Sequence, residues 1–196
     1  MGTFRINVPT NIYSMNLKEV LKTLIAKFHE KKIDAVLSGG LALSTMDIFR
    51  FTKDIDFLIS EESKTAVDKI MIELGYEIQD FSTDEIISYV SPLKVFGQVD
   101  FLLAKRKYTK AMMERASGQT VFDGEYIVKT LMPEDLIGLK IQAISNDPEN
   151  RYYIDAPDIQ RLLALHKEKM DMLLVREYFK IFDKEELLDE WLDKIK

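Results

Sequence analysis

The chain has 196 residues, 46% hydrophobic and 31% charged, with 27 Lys+Arg against 33 Asp+Glu and a formal net charge of −6. That length builds one domain, or one domain with a small appendage, and these shares exclude disordered and fibrous classes, while the acidic balance argues against a broad nucleic-acid surface. The absence of cysteine removes disulfide frameworks, zinc fingers and thiol nucleophiles, and the two histidines, His29 and His166, lack metal-site spacing.

The first predicted element is a helix from about Asn16 to Lys31. Asn16 and Glu19 have capping-box spacing, and Leu17, Val20, Leu21, Leu24, Ile25 and Phe28 form one apolar stripe. Ile33 to Ser38 reads as a short strand ending in Gly39-Gly40, followed by a helical run to about Ile48. Asp54 to Ile59 reads as a second strand. Ser60 then caps a helix with the stripe Val67, Ile70, Met71 and Leu74, closed by Gly75. Ile86–Val90 and Lys94–Leu103 are expected to pair around Ser91-Pro92. Asp123-Gly124 signals a hairpin between Val121-Phe122 and Tyr126–Lys129. From Pro133, a natural first helical residue, the pattern turns helical, with a further helix expected near Asp155–Pro157 and amphipathic segments from about Lys169 and Asp183. The order predicts an α/β (α+β) protein: a mixed-sheet core over residues 1–132 and a C-terminal helical part over 133–196 packed on it.

The chemistry concentrates in Asp54-Ile55-Asp56 and the preceding Gly39-Gly40. Residues two apart on a strand share a face, so Asp54 and Asp56 stand side by side while Ile55 and Phe57 point to the core. Adjacent anions repel unless a cation lies between them, and an open pair of hard oxygen ligands suits Mg²⁺ (or Mn²⁺). The glycines let backbone N–H groups approach a phosphate. Asp100, inside the apolar run Val99 to Leu103, completes a two-cation site if its strand neighbours the Asp54–Asp56 strand. Its plainer reading is an edge-strand acid facing water.

The pattern of a hydrophobic residue and Gly39-Gly40, thirteen residues, Asp54-Ile55-Asp56-Phe57 and a later Val99-Asp100-Phe101 resembles the DNA polymerase β-like nucleotidyltransferase superfamily. Arg50-Phe51-Thr52-Lys53-Asp54-Ile55-Asp56 is similar to the Arg-x-Thr-x-Asp-Ile-Asp segment of its AbiEii-type, toxin-related members. Lys140 after Pro133-Glu134-Asp135, and Arg151 followed by Asp155 and Asp158-Ile159, are similar to that group's later elements. Gly40 stands where many superfamily members carry serine, and Ile154 where the AbiEii-like pattern often has lysine.

The resemblance implies a polymerase β-like core and transfer of a nucleoside monophosphate from an NTP to an acceptor hydroxyl of RNA (tRNA for example), protein or a small molecule, with pyrophosphate released. It implies catalytic and metal-ligating roles for Asp54, Asp56 and Asp100, and nucleotide contacts for Gly39, Gly40, Arg50, Lys53, Lys140 and Asp158. An antitoxin partner is implied by the toxin-type relatives. The rival reading is a catalytically inactive nucleotide- or partner-binding module of the same fold.

Other residues have plainer readings. Lys140 could snorkel to water, Arg50 could salt-bridge an acid, and Asp155 could cap a helix before Pro157. Lys105-Arg106-Lys107, with Lys110 and Arg115, reads as a solvated helix start rather than a nucleic-acid guide. Leu187, Leu188, Trp191, Leu192 and Ile195 read as a packing stripe. The first ten residues lack the plan of a signal peptide, and no apolar run approaches a membrane span of ~18–20 residues, so a cytoplasmic protein without membrane contact is expected.

Overall fold

A computed structural model of the chain describes residues 17–80, 82–92, 97–122 and 124–195. The apolar stripe of the first predicted helix forms α1 (Leu17–Lys31), which buries Val20, Leu21, Leu24 and Phe28. Its expected cap, Asn16, lies outside the described residues. Strand β1 (Ala35–Ser38) leads straight into α2 (Gly39–Ser44), β2 (Asp54–Ser60) and α3 (Lys64–Glu73). The strands β3 (Glu77–Ile78), β4 (Ile86–Val90) and β5 (Gln98–Ala104) follow, then α4 (Lys107–Arg115) and the β6 (Ser117–Val121) and β7 (Tyr126–Thr130) hairpin. Thereafter every described element is helical: α5 (Pro133–Asn146), α6 (Pro148–His166), α7 (Met172–Ile181) and α8 (Glu185–Lys194).

The seven strands form one mixed sheet in the order β3-β4-β5-β2-β1-β7-β6. β2 and β5 run parallel, as do β1 and β7, and the remaining neighbours are antiparallel. Alternation divides the central strands. Ile55, Phe57, Val99 and Phe101 are fully buried, whereas Asp54, Asp56, Gln98 and Asp100 are only partly so. On the core face Phe57 stacks on Phe101 with ring centroids 5.6 Å apart, and Phe28 meets Phe57 edge-on at 5.3 Å. Tyr89 of β4 closes the cluster edge-on against Phe101. Offset and edge-on aromatic contacts of this kind each add about 0.5–1.5 kcal/mol beyond their buried area. They make β2 and β5 a rigid base for the acids on the other face.

The helical part joins the core through a buried polar knot. Arg115, at the end of α4, donates to both oxygens of Asp135 (2.6 and 3.1 Å), and the Tyr178 hydroxyl of α7 donates to Asp135 Oδ1 at 2.7 Å. Gly138 allows α7 to lie close to α5, since a Cβ there would stand 2.8 Å from the Tyr178 ring. Trp191 is buried against Phe179, as its stripe predicted.

Several expectations need correction. The helix after Gly39-Gly40 ends at Ser44 rather than near Ile48, and the chain leaves it through a turn in which Asp47 has φ +60°. No helix begins at Asp155–Pro157. α6 starts at Pro148, capped by the Asp147 side chain, and runs through Pro157. Pro157 removes one N–H, and both it and Tyr153, whose carbonyl loses its helical partner, lie on the exposed side of α6. β5 is described from Gln98, with Lys94 to Phe96 of the predicted strand outside the described residues, as is Asp123 of the hairpin turn. β5 lies between β4 and β2, so Asp100 is not on an edge strand.

Candidate active site

The acids meet because of strand register. Asp56 lies directly beside Asp100 on parallel β5, and beside Ser38, the last residue of β1, on its other flank. Adjacent strands are about 4.8 Å apart, so Asp54, Asp56 and Asp100 form a triangle on one face at one end of the sheet. The glycine turn lies at the same end. Gly39 has φ +59°, and a Cβ there would overlap the Asp56 carboxylate. The N–H of Gly40 donates to that carboxylate. Glycine at 39 is therefore a steric condition for Asp56 to stand where it does.

Each carboxylate has its own local donors. Asp54 Oδ1 accepts the Lys53 N–H at 2.9 Å and the Thr52 hydroxyl at 3.3 Å. Both oxygens of Asp100 accept from the Gln98 side-chain amide at 2.9 Å, and Ser88, its partner across β4, also bonds it. Tied to separate donors, the trio stays open: among the described residues no three His, Asp or Glu side chains already close on one point as a metal cage.

The electrostatics show what the trio lacks. Burial, then the charges of Asp100 and Asp54, push the Asp56 carboxyl from its ordinary 3.8 up to about 7, with Lys140 and the Gly40 N–H pulling the other way. Burial also raises Asp100, with hydrogen bonds from Ser88 and Gln98 opposing it. An all-oxygen, acceptor-only donor set that repels itself fits a hard divalent cation.

A cavity of about 390 Å³ opens between this sheet face and the helical part. Ser38, Gly39, Asp56 and Asp100 form its floor, and Leu136, Leu139, Lys140 and Ala143 of α5 form its roof. Lys140 is 5% exposed, and its ammonium donates to Asp155 at 2.7 Å and to Asp158 at 2.8 Å. Asp155 also pairs with Arg151 at 2.7 Å, and Asp158 with Arg50 at 3.1 Å. Three cations and two buried carboxylates thus tie α5 and α6 to the loop before β2.

The predicted residues accordingly fall into two groups. Asp54, Asp56, Asp100, Gly39 and Gly40 gather at one end of the sheet, and Lys140 faces them from the roof. Asp158, at 2% exposure, is engaged with Lys140 and Arg50 behind the roof. Lys53 projects to the surface with its ammonium 5.9 Å from the exposed Phe51 ring. Within the basic cluster after β5, Lys105 pairs with Glu61, Arg106 with Glu85 and Arg115 with Asp135. The residues missed were Ser38, Ser88, Gln98 and Thr52. For Gln98 the i, i+2 spacing to Asp100 was an available signal, whereas Ser38 and Ser88 are placed only by tertiary register.

The mixed sheet thus sets Asp56 in register with Asp100 beside a tight glycine turn, with Lys140 of α5 opposite them. Among solved structures the chain is similar to ANT(2")-Ia in complex with adenylyl-2"-tobramycin, at 14% identity and a TM-score of 0.64 over 86% of this chain and 99% of that one. It is also similar to an antigenic nucleotidyltransferase-like protein from Paracoccidioides brasiliensis, at 17% identity and a TM-score of 0.55 over 90% and 92% of the two chains. At these identities the likeness establishes the fold. No curated protein matches the chain. The family model described as nucleotidyl transferase AbiEii toxin, Type IV TA system, matches residues 20–193. The chain belongs to that family, and its enzyme class is nucleotidyltransferase.

Proposed function

We propose that this protein transfers a nucleoside monophosphate from an NTP to an acceptor hydroxyl in a Mg²⁺-dependent reaction, and that it acts in the cytoplasm as the toxin of a toxin–antitoxin pair. The observation that carries the reading is that Asp54 and Asp56 share one face of β2, with Asp56 in register with Asp100 and beside Gly39. No helix among the described residues is long and apolar enough to cross a membrane.

Asp54 and Asp56 would hold one divalent cation and, with Asp100, a second. Bound there, the cations would supply positive charge against the triphosphate and the transferring group. The chain's own residues supply alignment. The Gly39-Gly40 turn seats the distal phosphates, and Lys140, pinned by Asp155 and Asp158, keeps a positive charge on the roof facing them. Asp100 Oδ accepts the proton of the acceptor hydroxyl, a task suited to a carboxylate whose proton affinity burial has raised. The acceptor oxygen then bonds to the α-phosphorus as the bond to the bridging oxygen breaks, and pyrophosphate leaves. Asp158 and Arg151 act behind the site, Asp158 holding Lys140 and Arg50, and Arg151 holding Asp155.

The test is incubation of wild type and Asp56→Ala with each labelled NTP and Mg²⁺ over RNA, protein and small-molecule acceptors. Asp56-dependent labelling and pyrophosphate release are expected, together with Asp56-dependent growth arrest on expression. Nucleotide binding without transfer to any acceptor would favour the inactive module instead.

A further inference from the structure

The Gly39-Gly40 turn offers backbone N–H groups but no side chain, and Gly40 stands where a serine is common in the wider superfamily. The space beside Gly40 is nevertheless not empty. A Cβ built at position 40 would lie 2.8 Å from Thr52 Oγ1, 2.9 Å from Thr52 Cβ and 3.3 Å from Arg50 Nη2. Thr52, from the loop before β2, thus fills with a hydroxyl-bearing side chain the space that a side chain at 40 would enter.

The bonding of Thr52 leaves this hydroxyl available. Its contacts with the Asp54 carbonyl and Asp54 Oδ1 are both 3.3 Å, long for an O–H donor, so a phosphate oxygen at normal hydrogen-bond distance displaces them. Thr52 is half-buried, and β-branching restricts its side chain to few orientations. Arg50, its neighbour over Gly40, is anchored through Nε to Asp158, so Nη2 also points from a fixed base. Hydroxyl and guanidinium thus converge between the glycine turn and Asp54, the first of the acids.

We infer that Thr52 is a nucleotide-binding residue whose hydroxyl donates to a phosphate oxygen of the triphosphate seated on the Gly39-Gly40 turn, taking over the role of a serine at position 40. This inference rests on the nucleotidyl-transfer reading above and names a further contact in that site. It also accounts for the glycine: a serine at 40 and threonine at 52 compete for one volume, so the chain can carry the hydroxyl at either position but not at both.

The test measures binding of the α,β-methylene analogues of the common ribonucleoside triphosphates with Mg²⁺, competition by inorganic tripolyphosphate, and KM against kcat. A hydrogen bond to a charged group corresponds to a tenfold or greater change in affinity, so Thr52→Val is expected to weaken both nucleotide and tripolyphosphate binding by about tenfold or more, with unfolding midpoint unchanged. Thr52→Ser should stay within about threefold of wild type, because it keeps the charge-assisted donor. Gly40→Ser/Thr52→Gly should bind more tightly than Thr52→Gly alone, since the hydroxyl is restored from the other side and glycine at 52 removes the Cβ that would lie 2.9 Å away. Equal binding by Thr52→Val and wild type overturns the inference alone, as does a Thr52→Ser variant as weak as Thr52→Val, or a double variant no better than Thr52→Gly. Wild-type protein that binds no nucleoside triphosphate overturns the nucleotidyl-transfer reading and this inference with it.

Discussion

Neutralising Asp56 should stabilise the cation-free protein above neutral pH. In the folded state its carboxyl titrates near 7 instead of the ordinary 3.8, because it is buried and faces Asp100 and Asp54. A group whose folded pKa is raised contributes stability that is fully present below its unfolded pKa and lost as pH rises through its folded pKa. The rise from 3.8 to about 7 corresponds to ~4 kcal/mol over the whole range, of which ~2.5 kcal/mol is lost between pH 5 and pH 8. Asp56→Asn keeps an acceptor for the Gly40 N–H and removes the ionisation. With EDTA present, urea unfolding of the wild type should show that loss, and Asp56→Asn should be flatter by ~2.5 kcal/mol across the same interval. The difference between the two proteins isolates Asp56 from the other titrating groups, and relief of Asp100 in the variant adds to it with the same sign. Mg²⁺ should restore wild-type stability at pH 8 and leave the variant nearly unchanged. Parallel pH profiles for the two proteins would refute the reasoning.

Gly39→Ala should cost about 1–2 kcal/mol from the positive φ alone and should displace the Asp56 carboxylate, so turnover falls at least a hundredfold in a protein that still unfolds cooperatively. Lys140→Met should lower stability by about 3–5 kcal/mol, because Asp155 and Asp158 stay buried with one cation fewer, and Asp158→Asn in that background should recover part of the loss in denaturant midpoint. Gly138→Ala should destabilise by about 1–2 kcal/mol through contact with the Tyr178 ring, while KM for nucleotide, read by steady-state kinetics, stays at the wild-type value.

What could be read from the sequence was what strand periodicity encodes. Asp54 and Asp56 alternate with buried Ile55 and Phe57, and Asp100 sits between Val99 and Phe101, so the faces of both strands were written locally. That the two strands adjoin, in parallel and with Asp56 opposite Asp100, depends on a crossover through α3, β3 and β4 that no local pattern specifies. The two-residue β3 is too short to leave a periodic signal. The start of α6 was misplaced because Pro157 and Asp155 imitate a helix entry, whereas Asp147 and Pro148 supply the real one. Arg151, Asp155 and Asp158 share a helical face by spacing. Their pairing with Lys140 and Arg50 arises only when α5, α6 and the loop before β2 pack together. Thr52 gave no signal of its own beyond its place in the resemblance, since its importance comes from filling the space above a glycine twelve residues earlier.

The most direct measurement is a crystal structure with Mn²⁺ and an α,β-methylene nucleoside triphosphate, located by manganese anomalous scattering. The account predicts anomalous peaks bounded by Asp54, Asp56 and Asp100, with the triphosphate on the Gly39-Gly40 turn below Lys140. Manganese bound elsewhere, or a nucleotide seated away from that turn, would contradict it.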